Sequence, residues 1–107
     1  MSAQKTAIAE LTARIYGDDS GLFVYLPSAI RNRYEVVVGD RFYCVLQAIS
    51  RSDGQEARPV EHEGWWEVKG YWHELHIPPE LVTKLGLRPG HYLALRLERV
   101  EKGRGHG

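Results

Sequence analysis

Apolar residues recur along this chain in two stretches that can be laid over one another without a gap. In residues 24–46, VYLPSAIRNRYEVVVGDRFYCVL, and 75–97, LHIPPELVTKLGLRPGHYLALRL, Pro27 and Pro78 stand 51 positions apart, as do Gly39 and Gly90. Apolar side chains fall in register at Val24/Leu75, Leu26/Ile77, Ile30/Leu81, Tyr34/Leu85, Val36/Leu87, Phe42/Leu93, Cys44/Leu95 and Leu46/Leu97. Few of the residues between them are identical, so the agreement is one of fold. Units this short rarely bury an apolar face alone and must pack against one another. The duplication predicts an intramolecular pair.

Within each copy the pattern changes period in the same order. Leu22 to Leu26 and Tyr71 to Ile77 are rich in aromatic and branched residues, as strands are, and each ends at a proline. Proline presets a helical φ and gives up an N–H that a first helical turn leaves unpaired, so it suits a helix start. A short helix follows, with Ile30 and Tyr34, or Leu81 and Leu85, four apart on one face. Gly86 is placed to close the second helix as a left-handed cap. Its counterpart is Glu35, for which that conformation costs roughly 1 kcal/mol, so the first helix is expected to end differently. The turns VVVGD and LRPGH lead into last strands, in which Phe42, Cys44 and Leu46, and Leu93, Leu95 and Leu97, face the core. Ala7 to Tyr16 and Trp65 to Lys69 supply one further upstream strand per copy.

The predicted whole is a single domain, mainly β with two short helices. Repeat 1 covers about residues 8–50, a polar linker 51–63, repeat 2 about 64–100 and a mobile tail 101–107. No apolar run approaches the ~20 residues of a membrane-spanning helix, and the first residues lack the apolar stretch of a signal peptide, which reads as cytoplasmic. Cys44, the single cysteine, falls on the core-facing register and reads as a small buried apolar group.

The second stretch, HIPPELVTKLGLRPGHYLALRL, resembles the AbrB/MazE/SpoVT type of swapped-hairpin β-barrel. That family's mark is a strand ending in Ile-Pro, a short helix, then Leu-Gly-Leu-x-Pro-Gly-Asp and a final strand. The first copy has Leu-Pro and Tyr-Glu-Val-Val-Val-Gly-Asp at those places, and its Arg-Ile-Tyr-Gly-Asp-Asp-Ser resembles the basic-aromatic loop of MazE-like antitoxins. Most members close the barrel with two chains. Two copies in one chain, as in MraZ-like proteins, imply a cradle-loop barrel formed as an intramolecular pseudo-dimer.

The resemblance implies DNA binding, as in transcription regulators and antitoxins, through arginines on hairpin loops and at the helix start. Arg14 matches the basic residue before the first hairpin turn, and Arg31 matches the first of two helix arginines; Asn32, Val82 and Thr83 depart from the pattern. The basic residues near the implied surface are Arg14, Arg31, Arg33, Arg41, Lys69, Lys84 and Arg88. Charge argues the other way. The chain has no net charge, with six basic and six acidic residues in positions 1–53 and eight of each in 54–107, whereas phosphate neutralisation drives most nonspecific DNA affinity.

The outward register of the first copy carries Phe23, Tyr25, Tyr43 and Val45, against Glu74, His76, Ala94 and Arg96 in the second. A contiguous apolar exterior marks an interface, so the first set is the expected surface for a homodimer or for a protein partner such as a toxin. The alternative to DNA binding is therefore a protein-interaction module, antitoxin-like or a scaffold. No enzyme is expected: nucleophile elbow, phosphate loop and paired carboxylates are all missing from the sequence. His73-Glu74-Leu75-His76 lacks the spacing that puts two histidines on one helical face, and three residues apart in a strand they point to opposite sides. Neither a metal nor a cofactor is implied.

Overall fold

The computed structural model describes residues 7–51 and 57–103. The chain runs β1 (Ala9–Arg14), β2 (Tyr16–Asp18), β3 (Gly21–Tyr25), α1 (Ser28–Arg33), β4 (Arg41–Ser50), β5 (Arg58–Lys69), β6 (Glu74–His76), α2 (Pro79–Leu85) and β7 (Tyr92–Glu101). All strands belong to one curled antiparallel sheet in the order β1-β7-β4-β5-β6-β3-β2. Strands from the two copies are interleaved in it: β1 and β4 pair with β7, β5 also pairs with β4, and β3 pairs with β6, while β5–β6 and β2–β3 are neighbours within one copy. The two edge strands, β1 and β2, are joined through the buried Ile15 alone.

The register of apolar positions becomes the core. Val24, Leu26, Val36, Phe42, Cys44, Leu46, Leu75, Ile77, Leu81, Leu87, Leu93, Leu95 and Leu97 are all buried, while Ile30, Tyr34 and Leu85 pack against them partly exposed. Trp66 and Val68 complete the interior. Burial pushes the Cys44 thiol far above its ordinary value, which removes the thiolate needed for reactivity.

Several boundaries differ from expectation. The first upstream strand is broken at Ile15 into β1 and β2, whereas β5 stays continuous and begins at Arg58, inside the segment expected to be linker. Only Glu74–His76 of the expected Tyr71–Ile77 strand is extended, because His73 turns back with a φ of 55°. The tail also starts later than its composition suggests. Lys102 Nζ donates to the carbonyls of Tyr34 and Glu35, both at 2.8 Å, and to Asp40 Oδ2 at 2.6 Å, and Gly103 N–H donates to Asp40 Oδ1 at 2.7 Å. A Cβ at Gly103 would meet the Gly39 backbone at 2.8 Å, so only glycine fits against that turn. Residues 104–107 lie outside the described residues.

The expectation for the end of the first helix is corrected by the same contact. Glu35 does adopt the left-handed conformation, with φ 48° against 64° for Gly86, and Val36 N–H reaches Arg31 O just as Leu87 N–H reaches Val82 O. The repeat geometry prevails over residue preference, and the Lys102 ammonium on the Glu35 carbonyl helps to hold it.

Asp40 is inaccessible to solvent and also accepts the Val37 N–H at 2.9 Å. Its desolvation favours the neutral acid, but the Lys102 ammonium and the Gly103 and Val37 N–H groups outweigh that and hold the carboxyl below the ordinary range. Its contribution to stability is therefore full above the ordinary carboxylate range and is lost as pH falls through the depressed folded-state value. Asp40→Ala should destabilise the fold by about 1–3 kcal/mol at neutral pH and flatten the acid limb of the stability profile, as read by urea unfolding across pH. Glu35→Gly should stabilise by roughly 0.5–1 kcal/mol, because it relieves the left-handed strain while Lys102 keeps its backbone acceptor; thermal unfolding reads this directly.

Candidate nucleic-acid interface

The basic residues singled out in the sequence do not form one surface. Arg14 ends β1 with its guanidinium 5.6 Å from the Tyr16 ring centre. Arg31, on α1, lines a cleft of about 290 Å³ with Tyr25, Leu26 and Trp72. Tyr25 and Leu26 also line a neighbouring hollow of about 290 Å³ with Arg14, Tyr16 and Pro27. The structure thus brings Arg14 and Arg31 to two sides of Tyr25. The Nε of Arg31 is buried and has no bonded partner among the described residues.

The remaining five are placed elsewhere. Arg33 lies over Tyr34 with 5.5 Å to the ring centre. Arg41 pairs with Glu101 and lies 5.1 Å from the Trp65 ring. Lys69 borders a hollow of about 460 Å³, whose rim also carries Glu67 and Glu80, so its field is mixed. Lys84 is exposed on α2, and Arg88 lies in the turn that follows.

The expected apolar patch divides in the same way. Phe23 is 4% exposed, which corrects its assignment to the exterior. It is covered by Tyr16, Tyr25 and His76, with ring centres at 6.4, 5.5 and 5.2 Å. Glu74 and His76, also expected outside, are buried beside it, with Glu74 Oε1 3.2 Å from His76 Nε2. The cause is the side-by-side pairing of β3 with β6 and with β2, which sets His76 and Tyr16 on either side of Phe23 and Glu74 opposite Tyr25. Tyr43 and Val45 are half-buried on β4. Tyr43 belongs to a separate cluster, 5.2 Å from Trp65, under Arg99 at 4.5 Å and bonded to Glu63 at 2.8 Å.

What remains outside is an aromatic surface with arginines at its edges. Tyr16 (41%), Tyr25 (43%) and Trp72 (62%) are exposed, and the Tyr16 and Tyr25 rings lie 5.0 Å apart. No family model and no curated protein matches the chain. The fold is similar to that in the solution structure of PHS018 from Pyrococcus horikoshii, with a TM-score of 0.61 and 22% identity, covering 94% of this chain and 99% of that one. At that identity the likeness speaks for the fold alone.

Neither Tyr16 nor Trp72 is among the contact residues expected from the sequence, where Trp65, Trp66 and Trp72 read as core or edge packing before interface. Tyr16 was legible as the aromatic residue of the basic-aromatic loop; Trp72 was not, because the strand pattern of Tyr71–Ile77 hides the turn that projects it. The burial difference predicts different costs for adjacent aromatics: Phe23→Ala should destabilise by about 3–5 kcal/mol, and Tyr25→Ala by less than about 1 kcal/mol, in parallel urea titrations.

Proposed function

We propose that this chain is a DNA-binding regulator of the AbrB-like class, cytoplasmic and without enzymatic activity, its two copies forming a swapped-hairpin pseudo-dimer. The fold reading is supported by the interleaving of strands from both copies in one sheet and by a reciprocal exchange of backbone bonds. Gly39 and Asp40 of the first copy bond to Val68 of the second, at 3.0 and 2.8 Å, while Gly90 and His91 of the second bond to Ile15 of the first, both at 2.8 Å.

The observation that carries the DNA reading is the exposed Tyr16, Tyr25 and Trp72 surface with Arg14 and Arg31 at its edges. Aromatic faces stack on bases while guanidinium groups meet phosphates, a combination that tolerates zero net charge over the whole chain because the basic groups act locally. The second reading, a protein-interaction module, rests on the same exposed rings and on that overall neutrality. A self-associating or partner-bound form would bury Tyr25 and Trp72 against apolar groups.

Mobility-shift titrations on DNA at several salt concentrations separate the two. Arg14→Ala with Arg31→Ala should weaken binding and lower the salt slope by up to about 2, since each lost phosphate contact removes roughly 0.9. An unchanged slope would clear both arginines of a phosphate role. Salt-insensitive self-association abolished by Tyr25→Glu, in sedimentation, would favour the interaction module instead.

A further inference from the structure

The two copies can be compared position by position at the turn after each helix, and there their chemistry diverges. In the first copy the Asp40 carboxylate collects the Val37 and Gly103 N–H groups and the Lys102 ammonium. In the second copy's turn, 51 positions on, Asp40 becomes His91, Val37 becomes Arg88 and Tyr34 becomes Leu85, while Lys102 after the second copy's last strand corresponds to Arg51, 51 positions back, after the first copy's. The backbone of the turn is kept: His91 N–H bonds to Arg88 O at 3.1 Å, as Asp40 N–H bonds to Val37 O at 3.1 Å. A cation after the last strand is kept as well. The carboxylate is not.

Arg58 adds a second guanidinium, donating to the Leu85 carbonyl at 3.4 Å, the counterpart of the Tyr34 carbonyl that Lys102 holds. Arg51, Arg58 and His91, with Ile49, Leu85 and Gly86, line a cavity of about 330 Å³. No acidic side chain lines it among the described residues. His91 Nδ1 is buried there without a bonded partner among the described residues. Burial first, then the charges of Arg51, Arg88 and Arg58, push the His91 imidazole below its ordinary pKa, so it stands neutral in a positive field.

Like charges gathered around a partly buried hollow repel one another. An anion placed between the guanidinium groups relieves that repulsion. Guanidinium groups match the oxygens of a phosphate in spacing and number, and the volume sits at the small end of ligand pockets, roughly 300–1,000 Å³.

We propose that the cavity between the turn after α2 and the start of β5 binds a phosphate-class oxyanion, held by Arg51 and Arg58 beside His91, where the first copy places the Asp40 carboxylate. The site shares no residue with the Arg14 and Arg31 surface, so it stands or falls independently of the function proposed above. A free phosphate, a terminal phosphate monoester and a nucleic-acid backbone offer it the same chemistry.

Calorimetric titration of the full chain with inorganic phosphate, at constant ionic strength with chloride as reference, tests the site. Wild type should bind phosphate and not chloride. His91→Asp restores the internal carboxylate and should weaken phosphate binding at least tenfold while raising the unfolding midpoint. Arg51→Ala with Arg58→Ala should weaken it at least tenfold by a different route. Failure of wild type to bind at millimolar phosphate, or undiminished binding by both variants, overturns the proposal. So does binding that appears only after Asp53→Asn with Glu56→Gln, since one of those carboxylates would then be the resident anion. Where phosphate binds, displacement by a short DNA duplex in the Arg14→Ala, Arg31→Ala background assigns the site to a nucleic-acid backbone; persistence of bound phosphate assigns it to a free phosphate or monoester.

Discussion

Everything else in this fold rests on two turns, each of which grips a strand belonging to the other copy. Gly39 and Asp40 close on Val68, and Gly90 and His91 close on Ile15, through backbone N–H and carbonyl groups. A buried backbone group must find a partner, and here that partner lies across the duplication. The sheet order follows from this, because a first strand fixed by the opposite turn must run beside the opposite last strand, as β1 does with β7 and β5 with β4. Ile15 and Val68, the two gripped residues, are both fully buried.

On that shared frame the copies have separated chemically. The first copy's turn is satisfied by side chain and backbone that follow β7: Asp40, Lys102 and Gly103 form a closed set of donors and acceptors, and Lys102 extends it to the end of α1. The second keeps the turn and the cation but carries an imidazole and additional arginines in place of the carboxylate. The aromatic surface is likewise one-sided, with Tyr16 and Tyr25 on the first copy's strands and Trp72 supplied by the loop before β6. Duplication gives each site a built-in control, since the same backbone is present twice with different side chains.

The apolar register was legible in the sequence because burial selects residue type at every second strand position, and the positions it marked are the core that forms. Long-range contacts were not legible. Phe23 follows the outward register of β3 correctly, yet Tyr16 of β2 and His76 of β6, its cross-strand neighbours, cover it, and no alternation along one strand reports which side chains its neighbours set beside it. Glu35 shows the same limit at a helix end, where the preference of one residue yields to a conformation imposed by the repeat and held by Lys102. Arg51 and Arg58 read as linker charges because their meaning depends on His91, which becomes a signal only when LRPGH is set against VVVGD.

The pairing of β1 with β7 also bears on how such a chain is made. Ala9 lies beside Leu97 and Arg14 beside Tyr92, so during synthesis β1 has no partner until β7 has followed it. Until then Ile8, Leu11 and Ala13, which pack on or into the core, stay in water, and α1 waits for Lys102 to seal its end. Contacts this distant in sequence slow the search for the native state and prolong the exposure of unpaired strand edges. A sheet ordered in this way trades early pairing of β1 for a wait until β7 has been synthesised.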